Sequence, residues 1–158
     1  MATALPQAGA EDTFTEGASI YRVVIVEDSP LVAHRIEEAI TDIRNVVVVA
    51  TATSEGEARI VLAACRWDFL ILDLQLKDGN GLNVLRSLQG DAQMDARRIA
   101  VVTTFASVAC ARESLALGAS YFFDKFHDLP ALVALIRTLA ALPSPDRAAT
   151  GAGQFTAA

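Results

Sequence analysis

The stretch FLILDLQLKDGNGL, residues 69–82, decides the fold. Its first four residues form an unbroken apolar run, which suits a strand covered on both faces rather than one with a wet side. Asp73 ends the run. Asp78-Gly79-Asn80-Gly81 then reads as a turn before a helix expected over 82–88. Two glycines at this spacing are too few for a phosphate-cradling Walker loop and read as turn geometry.

Outward from this stretch the same unit recurs. A strand over 21–26 (YRVVIV) precedes a helix over 30–41, with Ser29 as N-cap and Pro30 as first helical residue. A strand over 46–51 precedes a helix opened by Ser54, where Glu57 completes a capping box. After the 68–72 strand come a strand over 99–103 and a helix over 107–117 ended by Gly118. A strand over 121–124 and a helix over 129–142, with Asp128 and Pro130 at its start, complete the series. Five strand-then-helix units imply a parallel sheet wound on both faces by right-handed crossovers. The expected fold is therefore a doubly wound α/β domain of flavodoxin-like strand order 2-1-3-4-5. In that order the crevice between strands 1 and 3, at their carboxyl ends, is where ligand chemistry belongs.

Composition narrows the function. The 158 residues carry 13 Lys and Arg against 19 Asp and Glu, for a net charge of −6 and a pI near 4.8. That balance argues against direct nucleic-acid binding, which requires a basic face. Mean hydropathy of +0.36 is too apolar for wholesale disorder, yet no apolar run is long enough to span a bilayer. No secretory signal is visible, and Cys65 and Cys110 form neither a ligand set nor a disulfide framework, so a reducing cytoplasmic setting is expected. Residues 1–19 and 143–158 are small, polar and aperiodic and read as flexible tails around one domain over 20–142. Neither tail is long enough for an output domain, so the folded part is expected to carry the function alone.

The strand ends gather the chemistry. Strand 1 ends in Glu27-Asp28, strand 3 in Asp73, strand 4 in Thr103-Thr104, and strand 5 runs into Lys125. Three carboxylates at one edge repel one another unless a cation intervenes, and an all-oxygen set suits Mg²⁺. Thr103 and Lys125 supply a hydroxyl and an ammonium for a phosphoryl group. Asp73 is then the nucleophile for an aspartyl phosphate, with Mg²⁺ held by Asp28, Asp73 and a backbone carbonyl near Gln75.

Four blocks, VVIVEDSPLVAHRI, FLILDLQLKDGNGL, IAVVTTFA and GASYFFDK, resemble in order and spacing the signature blocks of the receiver domain of two-component response regulators. The resemblance spans about residues 20–142. It implies a phosphorylation switch fed by a histidine kinase or a phosphotransfer protein, not an enzyme with a turnover substrate. By position it implies Asp73 as phospho-acceptor, and Glu27 and Asp28 as the acidic pair that holds Mg²⁺ with Asp73. It further implies the Gln75 carbonyl in the metal shell, Lys125 on the phosphate, and Thr103 coupled to the switch aromatic Phe122. A receiver lacking an output domain resembles single-domain regulators, which bind a downstream protein or pass phosphate along a relay. The aliphatic stripe of the last helix (Leu132, Val133, Leu135, Ile136, Leu139) is first of all core, and its excess would also serve a partner or a homodimer.

Two positions depart from the family pattern. Lys125 is followed by Phe126 where the family has proline after a cis bond, so a trans peptide and a reshaped loop are expected. Thr104 stands where Gly or Ala is common, and its bulk would narrow access to Asp73. Three other readings stand against the receiver reading. An aspartyl-phosphate hydrolase of the haloacid dehalogenase kind needs a second Asp where this chain has Gln75. A receiver-shaped interaction module that is never phosphorylated is favoured by Phe126 and Thr104 and opposed by the full set of the acidic pair, Asp73, Thr103 and Lys125. A flavin carrier needs a phosphate loop where strand 1 instead meets acids.

Overall fold

The computed structural model describes residues 19–143. The tails expected at 1–19 and 143–158 lie outside the described residues except for Ser19 and Pro143. Strands β1 (Tyr21–Val26), β2 (Val46–Ala52), β3 (Phe69–Leu72), β4 (Arg98–Thr103) and β5 (Tyr121–Asp124) form one sheet in the order β2-β1-β3-β4-β5. All neighbouring pairs are parallel. Between and after them run α1 (Pro30–Thr41), α2 (Glu55–Ala64), α3 (Gly81–Leu88), α4 (Val108–Ala116) and α5 (Leu129–Ala141). The doubly wound topology expected from the sequence is the one observed.

Alternation along the strands splits the core in two. Val23, Ile25, Phe69, Ile71, Ala100 and Val102 face α1 and α5, where Ile36, Ile40, Leu132 and Ile136 meet them. Val24, Val26, Leu70, Leu72, Ile99 and Val101 face the other way and pack with Ala58, Leu62, Val84 and Leu85 of α2 and α3. Burying each large aliphatic side chain contributes about 1.5–3 kcal/mol, so both helical layers are clamped to the sheet. None of the described helices is long and apolar enough to cross a membrane.

Helix starts follow the capping residues. Ser29, Ser54, Asn80 and Ser107 each accept a backbone N–H of the first turn, at 3.4, 3.2, 2.8 and 3.1 Å. One cap is extended and one differs from expectation. Glu57 reaches back as a capping box requires: besides the Ser54 N–H, its carboxylate accepts the N–H and hydroxyl of Thr53, one residue earlier, at 2.8 and 2.9 Å. Asp128 precedes α5 but makes no side-chain cap to that helix, because its carboxylate accepts the Asp124 N–H at 2.8 Å. A 3₁₀ turn at Met94–Ala96, absent from the sequence reading, joins α3 to β4.

Gly81 opens α3 where no side chain fits. A Cβ there would overlap the backbone carbonyl oxygen of Asp73 and press on Leu74 Cα. The helix can therefore approach the end of β3 only through glycine. Gly81→Ala is expected to lower the unfolding free energy by about 1–3 kcal/mol in a urea titration. An alanine variant as stable as the parent would contradict this close approach.

Candidate functional site

Three of the charged strand ends are held one hydrogen bond beyond their strands. Glu27 N donates to Ala52 O and Asp73 N to Val26 O, both at 2.9 Å, and Lys125 N donates to Thr103 O at 3.0 Å. The ladder thus continues one rung past β1, β3 and β5, and fixes where these side chains begin. Because β1 lies between β2 and β3, Glu27, Asp28 and Asp73 share one edge of the sheet.

The side chains converge on one ammonium. Lys125 Nζ lies 2.7 Å from Glu27 Oε2 and 2.7 Å from Asp73 Oδ2. Glu27 and Asp73 are each 3% exposed, so both carboxylates are almost wholly removed from water. Glu27 Oε1 also accepts the Ser29 N–H at 3.0 Å, and Asp73 Oδ1 accepts the Gln75 N–H at 3.2 Å. Burial pushes the Glu27 carboxyl above its ordinary pKa, with hydrogen bonds from Lys125 and Ser29 opposing it. For Lys125 burial acts downward, but the hydrogen bonds to Asp73 and Glu27 outweigh it and hold the ammonium above the usual lysine value.

Asp28 completes a triad. One carboxylate oxygen from each of Glu27, Asp28 and Asp73 lies within 4.8 Å of the others, with Asp28 the more exposed member. Three carboxylates against one lysine leave two negative charges at a half-open edge. Such an all-oxygen set, with an exposed side left for water or substrate oxygen, suits a hard divalent ion that keeps several waters. Gln75 lies two residues past Asp73 on the same loop, which Gly81 ties back by donating its N–H to Leu74 O at 3.0 Å.

Thr103 is 1% exposed, and its hydroxyl accepts the Phe105 N–H at 3.4 Å, a long and weak bond. Phe122 is half-buried and packs on the core face shared with Val101, its partner in the β4–β5 register. Alternation from Val101 puts Thr103 on that same face. The Lys125–Phe126 peptide is trans, since no cis bond occurs among the described residues. Its loop is shaped instead by Asp124, whose carboxylate accepts the N–H groups of Phe126 and His127 at 2.8 and 3.1 Å.

The structure brings Glu27, Asp28, Asp73 and Lys125 together, with Thr103 at the end of the adjacent strand. Two features escaped the sequence reading. One is the direct pairing of Lys125 with Glu27 as well as Asp73. The other is the Asp124–Asp128 bonding around the lysine, for which the acids flanking Lys125 at positions 124 and 128 were the available signal.

Known proteins resemble this chain in sequence and in fold. The response regulator receiver domain family matches residues 23–137. The chain is 29% identical over 137 residues to the photosynthetic apparatus regulatory protein RegA of Rhodobacter capsulatus, covering 86% of this chain and 72% of RegA. It is 30% identical over 125 residues to response regulator protein PilR of Pseudomonas aeruginosa, covering 79% of this chain and 27% of PilR. Among solved structures, a LuxR-family two-component response regulator from Aurantimonas sp. SI85-9A1 aligns with a TM-score of 0.69 at 30% identity, over 83% of this chain and 94% of that one. With the family matched across most of its length and the acidic edge in place, this chain belongs to the receiver domains of two-component response regulators.

Proposed function

We propose that this chain is a Mg²⁺-dependent phosphorylation switch that accepts a phosphoryl group on Asp73 from a histidine kinase or a phosphotransfer protein. The observation that carries the reading is a nearly buried Asp73 bonded to Lys125 at 2.7 Å beside the oxygens of Glu27 and Asp28. In the transfer, an Asp73 oxygen forms a bond to phosphorus as the donor's P–N or P–O bond breaks and the donor leaves with its electron pair. Asp28, Asp73 and Glu27, with the Gln75 carbonyl, would hold Mg²⁺, which when bound offsets charge on the transferring group. Lys125 already points its ammonium at Asp73, so it is placed to contact a phosphoryl oxygen carried there. The two free cysteines, Cys65 and Cys110, are compatible with a reducing cytoplasmic setting.

The output is protein binding or relay to a further phosphotransfer partner. A phosphoryl group brings about −1.5 to −2 charges and several acceptor oxygens. It outcompetes the weak amide contact that now engages the Thr103 hydroxyl. Reorientation of Thr103 vacates space on the face where Phe122 sits half-buried, and α4, β5 and α5 respond together. That side of the domain is what a downstream protein, or a second copy of the chain, would read.

Two outcomes test this. With a small phosphodonor and Mg²⁺, intact mass should show one phosphoryl adduct. It should vanish in Asp73→Asn and with chelator, and Asp28→Asn should raise the Mg²⁺ needed by at least about tenfold. An undiminished adduct in Asp73→Asn would sink the assignment. Separately, a beryllofluoride mimic should perturb amide shifts at 107–117 and 121–125 as well as near Asp73. Perturbations confined to the Asp73 loop would mean that phosphate is accepted but not transmitted through that face.

A further inference from the structure

Lysine reaches a target on a flexible four-carbon stem, so its accuracy depends on how firmly its backbone is held. At Lys125 the holding is unusual. Five successive N–H groups are bonded, and four of them close on two acids of the same turn. Asp124 N donates to Asp128 Oδ2 at 2.8 Å, and Asp128 N returns to Asp124 O at 3.0 Å. Phe126 N and His127 N both donate to Asp124 Oδ1, at 2.8 and 3.1 Å. The fifth, Lys125 N, crosses to Thr103 O at 3.0 Å. His127 Nδ1 lies 3.0 Å from the same Asp124 oxygen, on the exposed side.

The Asp124 carboxylate stands next to Lys125 in sequence yet is not an ion-pair partner of it; the ammonium goes to Glu27 and Asp73. Its negative charge is met first by the Phe126 amide and then by the ring and amide of His127, which together hold it below the usual aspartate range. The side chain acts on the turn that follows Lys125.

We infer that Asp124 is a positioning residue for Lys125: by accepting the Phe126 and His127 amides, its carboxylate sets the trans turn that delivers the ammonium to Asp73. This rests on Lys125 serving the phosphoryl site, as proposed above. Asp124→Asn keeps an oxygen for the same amides, whereas Asp124→Ala does not. An ordinary turn stabiliser would change unfolding alone; a positioning residue changes where the lysine sits.

The test reads the Lys125 ammonium directly, in metal-free full chain, as a ¹H–¹⁵N side-chain signal identified by its loss in Lys125→Met. Asp124→Ala should lose or shift that signal, and Asp124→Asn should restore it. The initial rate of phosphorylation by a small phosphodonor with Mg²⁺ should fall about tenfold or more in Asp124→Ala and recover in Asp124→Asn. In the Lys125→Met background, Asp124→Ala should change the rate no further. An unchanged ammonium signal in folded Asp124→Ala overturns the inference, as does a rate loss that adds fully to that of Lys125→Met. If the parent chain takes up no phosphoryl group, the Asp73 reading fails while the ammonium signal still decides the role of Asp124. Should Asp124→Ala not fold, amide exchange in the parent chain decides: Phe126 and His127 should be protected like Lys125, and free exchange at both overturns the inference.

Discussion

One ammonium shared by two buried carboxylates organises this molecule's functional edge. Glu27 and Asp73 are each 3% exposed, and an isolated ionised carboxylate at that depth is strongly disfavoured. Lys125, at 2.7 Å from both, supplies the opposite charge that each carboxylate would otherwise lack there. The requirement reaches back into the topology. Only an order with β1 beside β3, and β5 two strands further on, brings residues from three distant segments to one ammonium. Asp28 then adds a charge that the lysine does not neutralise, and the pocket is left with an appetite for a cation and an exposed oxygen face.

The surrounding loops keep this arrangement open to chemistry. Gly81 lets α3 start against the Asp73 carbonyl, and its N–H bond to Leu74 O closes the loop that carries Gln75. Glu55, at the head of α2, accepts the Asn80 N–H at 3.1 Å and the Asn83 amide at 3.2 Å, and so fastens the same loop from outside. On the far side Asp124 and Asp128 fasten the turn after Lys125. The acceptor and the lysine therefore sit on two independently braced loops. Thr103 between them has only a weak amide contact, which makes it the natural moving part.

Much of this was legible in the sequence because it depends on local chemistry. Continuous apolar strands such as FLIL announce burial on both faces, and serine or asparagine before a helical period announces a cap. The acids after the strands placed Glu27, Asp28 and Asp73 at one edge once the strand order was inferred. The rest depends on geometry that spacing does not encode. Lys125 pairs with Glu27 across the ends of β3 and β4, a contact between strands far apart in the chain. Glu57 reaches past Ser54 to Thr53, and Asp128 turns back to Asp124, through backbone angles that several side-chain rotamers would satisfy. The Met94–Ala96 turn has no periodicity long enough to read.

The central claim, a shared buried ammonium, is tested most directly by a double-mutant cycle on unfolding free energy in metal-free, low-salt buffer, pairing Lys125→Met with Asp73→Asn. Lys125→Met alone should cost about 3 kcal/mol, since it strands two buried carboxylates. Made in the Asp73→Asn background, it should cost markedly less, with a coupling of at least about 1 kcal/mol. A Lys125→Met variant within about 0.5 kcal/mol of the parent, or strictly additive losses, would contradict it.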